Sequence, residues 1–288
     1  MTDFDDDRLN LPPAGERSLW QVTANLATLR KAPDKDAETA SQSLHGEQVC
    51  LHHRDGTFGL VQNLADGYVG WTDMEALSQP ARAPTHRLRA LRAYVYPRPS
   101  IKSAPVFEIS LGARLVSEEQ REGRFLKCAR AGWLYEDQLV AVSDFESDPA
   151  AVAVRYMHAP YLWGGRESVG LDCSGLVQQS FGACGIALPR DSDMQYAWAG
   201  AEIADWQVPG ALRRNDLVFW KGHVGIMLDQ DMFVHANGHH MAVAAEPLQG
   251  AISRIANQYG EPIGARRVDM SKARAEKPAW LNVAQALR

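Results

Sequence analysis

The stretch YLWGGRESVGLDCSGLVQQSF, from Tyr161 to Phe181, constrains this chain more than any other, because it joins a glycine-rich loop to a helix that opens on a cysteine. Gly164, Gly165 and Gly170 supply backbone that reaches conformations closed to other residues, so the loop can pass close to a substrate. Asp172 stands where a helix N-cap is wanted, ahead of Leu176, Val177, Ser180 and Phe181 at helical spacing, and Gly185 is a natural stop. A cysteine in the first turn of such a helix sits at the positive end of the macrodipole, which favours thiolate over thiol. Cys173 therefore reads as a nucleophile, with a small buried apolar residue as the plainer alternative.

A nucleophilic thiol needs a base, and two histidines follow in order. His223 lies in DLVFWKGHVGIML, where apolar residues on both sides of Lys221 and Gly222 predict two strands meeting at a turn. His235 falls in the next strand-like run, MFVHANG. Adjacent antiparallel strands bring two such rings together, one to bond the thiolate and the other to orient the first. Either histidine alone is more simply structural; the order Cys, His, His changes that weighting.

Residues from about 150 to 268 resemble the NlpC/P60 cysteine peptidases. The resemblance rests on Trp163, Gly164 and Gly165, then Asp172 to Leu176, then Gly222 to Ile226, then His235 with Ala236. It implies an α+β, papain-like domain with the nucleophile helix packed on an antiparallel sheet. By the same resemblance Cys173 is the nucleophile, His223 the general base and His235 the residue that orients it. Tyr161 matches a family tyrosine beside the reaction centre, where with the Cys173 backbone N–H it is implied to hold the oxyanion. No metal or organic cofactor is implied. His239 and His240 are read as loop residues, since no carboxylate or cysteine at metal spacing accompanies them.

Ahead of this domain the composition turns to short β-like runs broken by Pro, Gly and Asp, and the runs repeat. ATLRKAP at Ala27 aligns with AYVYPRP at Ala93, Gly46 with Gly112, and Gly70–Trp71 with Gly132–Trp133. The pattern resembles tandem bacterial SH3 modules, two small β-barrels, with QPARAPTH as their linker. The expected organisation is an extension over 1–19, SH3-like modules over 20–80 and 87–142, a peptidase domain over 148–270 and a tail over 271–288.

Two SH3 modules before such a domain resemble enzymes that cleave short murein peptides carrying a free N-terminal L-alanine, at the γ-D-glutamyl-L-diamino acid bond. In those relatives a tyrosine of the first module and an acidic residue of the catalytic domain close around the amine. The matching residues here are Tyr68, in GYVGW, and Asp191, in RDS. Other readings of these two are a core aromatic and a helix cap. Ser174, Ser192 and Asp172 are expected as further substrate contacts, and Arg190 as an exposed arginine, with a carboxylate partner as its other reading.

A net charge of −5 argues against nucleic acid as partner, no long apolar run predicts a membrane span, and the acidic start lacks the pattern of a secretory signal. The expected compartment is the cytoplasm, so the four cysteines, which show no metal spacing, are expected unpaired, with Cys50 and Cys128 as small core residues. Oligomeric state is not readable. The rival functions are an exported hydrolase of intact wall and a noncatalytic SH3-type peptide-binding protein.

Overall fold

The computed structural model describes residues 6–10, 15 and 17–281. Most of the expected N-terminal extension and residues 282–288 of the tail lie outside the described residues. The chain divides into two compact units, Met1–Asp144 with Trp280–Arg288, and Phe145–Ala279.

In the first unit the β-like runs become short antiparallel strands. Seven of them, between Ser18 and Ser78, make one sheet, and alternation along them turns Ala27, Leu29, Val49, Leu51 and Val61 into a common core. Residues 86–141 form three smaller sheets around a second core that includes Leu88, Val95, Ile109, Leu126 and Leu134. Each half ends alike: a strand, Val69–Asp73 or Gly132–Tyr135, passes through a single 3-10 turn into a short last strand. The aligned glycines have a common physical cause. A Cβ on Gly70 would lie 2.9 Å from the Leu29 Cβ, and one on Gly132 would lie 2.6 Å from the Tyr96 carbonyl oxygen, so each marks a close approach of neighbouring strands. Cys128 belongs to the second core, whereas Cys50, expected to be buried, is only partly so.

The second unit is α+β. A short helix α1 (Pro149–Val154) starts at a proline, whose fixed φ suits the first helical turn. Helix α2 (Cys173–Ala183) buries every residue except Gly182, and packs against α1 and two central strands. Helix α3 (Ser192–Trp198) follows. The sheet has six antiparallel strands in the spatial order Ala201–Glu202, Gly264–Arg267, Leu217–Trp220, His223–Met227, Met232–Asn237 and Ala242–Pro247. Lys221 and Gly222 form the tight turn between the third and fourth of these, and Gly222 takes a left-handed φ of 76°. Leu248, Ala251 and Ile255 of helix α4 (Leu248–Tyr259) pack on Val218, Trp220, Met227 and Phe233. In the tail, helix α5 (Met270–Ala275) is capped by Asp269, which accepts from two backbone N–H groups. Among the described residues no helix is long and apolar enough to cross a membrane.

Candidate active site

Helix α2 begins at Cys173 because Asp172 caps it. The Asp172 backbone is extended, and Oδ1 accepts the Gly175 N–H at 2.7 Å. The same oxygen accepts from Ser174 Oγ at 3.2 Å and from Arg190 Nη1 at 2.9 Å, while Oδ2 accepts the Gly164 N–H at 2.9 Å and Arg190 Nη2 at 2.6 Å. A carboxylate offers about four lone-pair sites, so this one is filled from within the protein. Its work is to tie the glycine loop to the start of the helix. Two expectations are corrected here. The Asp172 carboxylate has no acceptor capacity left for a substrate, and Arg190 is not exposed but fully buried. An unpaired buried guanidinium would be costly; the two-pronged contact with Asp172, together with the Ser174 hydroxyl at 2.9 Å, satisfies it.

The Cys173 thiol sits at the turn that carries His223. Its Sγ is 4.0 Å from the carbonyl oxygen of Gly222, the residue just before the histidine. Burial pushes the thiol up to about 12 and the Asp172 charge adds to this, while the N–H groups of Val224 and Ser174 and the Arg190 charge pull the other way. The helix-dipole argument alone favoured a thiolate. In the buried site desolvation outweighs the dipole, the resting group is a thiol, and its ionisation calls for a base.

His223 and His235 are hydrogen-bonded, Nε2 to Nδ1, at 2.7 Å, with ring planes 65° apart. His235 is fully buried, and its Nε2 lies 2.8 Å from Glu246 Oε1 and 2.9 Å from Asn237 Nδ2. The Arg254 guanidinium meets the same Glu246 oxygen. Burial lowers His223 to about 3, with the charges of His235 and Arg254 acting in the same direction and Glu246 against it. His235 is lowered by burial in the same way, opposed by its bond to Glu246. Burial pushes Glu246 up, but the hydrogen bond from His235 and the neighbouring cationic groups more than offset it, so its carboxyl lies below the ordinary range. A neutral imidazole keeps one bare nitrogen, and a site of this kind can take up the proton of a thiol.

Tyr161 lies at the rim of the same site, half-buried, with its backbone N–H on the Met241 carbonyl and a bridge to Leu171. Burial raises its phenol, and the charges of Cys173 and Asp172 raise it further, so it remains protonated and offers an O–H. Ser174 is buried, its hydroxyl shared between Asp172 and Arg190. Asp191 stands at the N-cap position of α3 without a side-chain capping bond, and Ser192 is buried as the first residue of that helix. Tyr68 belongs to the first unit, where it is buried and its N–H bonds to Asp66 Oδ1.

Glu246 was not visible in the sequence, because only the strand register shows which residues of Ala242–Pro247 face His235, whereas Asn237, two residues after His235 on the same strand, shares its face by alternation. The same register corrects the reading of His240: Glu246 does accompany it, and the donor atoms of His235, His240 and Glu246 gather within 4.8 Å. Those donors are engaged inside the protein, Glu246 by Arg254 and His240 Nδ1 by Asn237 Oδ1 at 3.0 Å.

Residues 158–260 match the NlpC/P60 family, and residues 29–77 match the bacterial dipeptidyl-peptidase Sh3 domain. Dipeptidyl-peptidase 6 of Lysinibacillus sphaericus is 25% identical over 238 residues, covering 75% of this chain and 86% of that protein. The gamma-D-glutamyl-L-lysine dipeptidyl-peptidase of Bacillus cereus is 24% identical over 262 residues, covering 80% and 77%. The crystal structure of an NlpC/P60 family protein from Bacillus cereus superposes with a TM-score of 0.73 at 21% identity, covering 87% of this chain and 99% of that one, which establishes a common fold.

Proposed function

We propose that this chain, which carries an NlpC/P60 domain over 158–260 and an SH3-like domain over 29–77, hydrolyses the γ-D-glutamyl-L-diamino acid bond of short murein peptides with a free N-terminal L-alanine. The observation that carries the reading is the hydrogen bond between His235, on the strand Met232–Asn237, and His223, which directly follows the Gly222 carbonyl that the Cys173 thiol approaches. The choice of bond is supported by similarity to dipeptidyl-peptidases along three quarters or more of the chain, one of them named for the γ-D-glutamyl-L-lysine bond.

In this mechanism Cys173 passes its proton to His223 Nδ1, the ring nitrogen left over by the bond to His235, as sulfur attacks the γ-carbonyl carbon of D-glutamate. The Cys173 N–H at the start of α2 and the Tyr161 phenol hold the developing oxyanion. His223 then gives the proton to the leaving amine of the diamino acid, and a thioester remains on Cys173. Water attacks it, His223 again takes the proton and passes it to the departing Cys173 sulfur, and L-alanyl-D-glutamate is released. Ser174, Ser192 and Asp191 supply substrate contacts from the second unit, Asp172 acting through the loop it anchors. Tyr68 and Asp191 read the free amine, since a charge-assisted bond to an ammonium is lost when that amine is acylated. The second set of strands, over 87–142, is on this reading another SH3-like module, and the cell compartment is the cytoplasm, where wall peptides are recycled.

The test is hydrolysis of L-Ala-γ-D-Glu-meso-diaminopimelate beside its N-acetylated twin, with products weighed by mass spectrometry. Cleavage of the free-amine peptide alone, after D-glutamate, is expected, with Cys173→Ala inactive yet folded. Equal cleavage of both peptides removes the roles of Tyr68 and Asp191, and cleavage of neither removes the proposed substrate.

A further inference from the structure

The two neighbours of His235 Nε2 ask opposite things of it. Glu246 Oε1, at 2.8 Å, is an ionised carboxylate oxygen that only accepts, so it requires a proton on Nε2. Asn237 Nδ2, at 2.9 Å, is an amide donor and is best served by a bare Nε2. A neutral imidazole has one proton for two nitrogens, and the charged partner makes the stronger bond. With the proton on Nε2, His235 Nδ1 is bare and accepts from His223 Nε2–H across 2.7 Å. His223 Nδ1 is then bare as well, which is the state that can take the Cys173 proton. If Asn237 prevailed, every proton in the chain would move over by one position: His235 would carry Nδ1–H, His223 Nε2 would accept it, and His223 Nδ1 would hold a proton where a base is wanted.

The fold makes this choice by register. Glu246 pairs with Phe233, two residues before His235 on the neighbouring strand, and so shares its face. Arg254 of α4 comes to the same oxygen, which keeps Glu246 ionised and aimed. The titratable and charged groups around His235 are His223 from one neighbouring strand, Glu246 from the other, Arg254 from α4 and His240 from the loop that follows Asn237.

We propose that Glu246 selects the tautomer of His235, and through two rings the base form of His223, so that it is a positioning residue of the reaction although it lies beyond the Cys, His, His set. The proposal rests on the cysteine-peptidase reading above and on no particular substrate.

The experiment is therefore independent of substrate: alkylation of Cys173 by iodoacetamide, followed by mass on the Cys173 peptide of the full chain, in wild type and in Glu246→Gln. Glutamine keeps the shape and loses the charge. Near neutral pH the Cys173 rate is expected to fall about tenfold to a hundredfold, by analogy with the loss of a carboxylate that fixes the tautomer of a metal-ligating histidine. Asn237→Ala in the same background removes the competing donor and should restore part of the loss. If a murein peptide is cleaved, kcat falls in the same proportion with KM little changed. A folded Glu246→Gln variant with the wild-type alkylation rate overturns the proposal, even if peptide cleavage is seen. Unaltered peptides alongside the expected alkylation loss overturn the substrate and leave Glu246 in its place. Nitrogen-15 NMR of the imidazoles in the wild-type chain needs no variant: His235 should carry its proton on Nε2, and an Nδ1–H tautomer overturns the proposal outright.

Discussion

Arg190 and Asp172 are worth more to the site than either residue suggests alone. The arginine has no solvent exposure, and the pair holds the glycine loop, the helix cap and the Ser174 hydroxyl in one network beside the nucleophile. Removing one partner of such a pair leaves the other charge buried and uncompensated, a loss of about 3–5 kcal/mol. Arg190→Met is accordingly expected to lower the unfolding free energy of the second unit by that amount, measured by urea denaturation. It also leaves the Asp172 charge unopposed near Cys173, where it already pushes the thiol up, so thiol alkylation slows in the fraction that remains folded. A loss below about 1 kcal/mol, the range of exposed pairs, would show that the network is not the anchor described here. The cap at Asp172 is legible from its place before an apolar rhythm, but nothing local to Arg190 announces that its partner lies at the start of another helix. Burial of a charge is a tertiary fact.

Elements carry the next scale, and here the turn and the two strands that bear the histidines are decisive. Their apolar alternation and the Lys221–Gly222 turn made the hairpin legible, and the order of Cys173, His223 and His235 along the chain made the site legible with it. The strand beyond, Ala242–Pro247, was not: AVAAEP has small residues on both faces, so the sequence alone does not say that Glu246 turns towards His235. The internal repeat was legible for the same reason as the hairpin, since Gly70 and Gly132 mark places where any side chain would collide with a neighbouring strand. Gly225 is the equivalent in the catalytic sheet. A Cβ there would come within 2.4 Å of the Phe233 ring and 3.1 Å of the His235 Cβ. Gly225→Ala is expected to cost about 1–3 kcal/mol by overpacking, and to slow Cys173 alkylation because the ring that must yield lies 4.3 Å from that of His235. Full thermal stability in this variant would show that Phe233 shifts freely and that the packing does not aim the histidine.

At the scale of the whole molecule, both units keep neutral histidines where water does not reach. His45 in the first unit is 3% exposed, its Nδ1 donating to the Ala24 carbonyl at 2.8 Å, and His235 in the second has no exposure at all. Burial lowers both below the ordinary value of 6.5. The sign of the consequence is fixed by proton counting. Above 6.5 neither the folded nor the unfolded chain holds these protons, and stability is at its full value. As pH falls below 6.5 the unfolded chain takes them up first, the native state does not, and unfolding is favoured until the folded values are reached. Within that window each such histidine removes about 1.4 kcal/mol per pH unit. The melting temperature is therefore expected to be level above 6.5 and to drop steadily below it, well before the carboxylates titrate. His45→Gln, which keeps a side-chain donor for the Ala24 carbonyl but cannot protonate, should flatten the acid slope by one histidine's share without changing the plateau by a comparable amount. A slope identical to that of the wild type would mean that His45 is protonated in the folded chain as readily as in the unfolded one, and that burial there is not what holds it neutral.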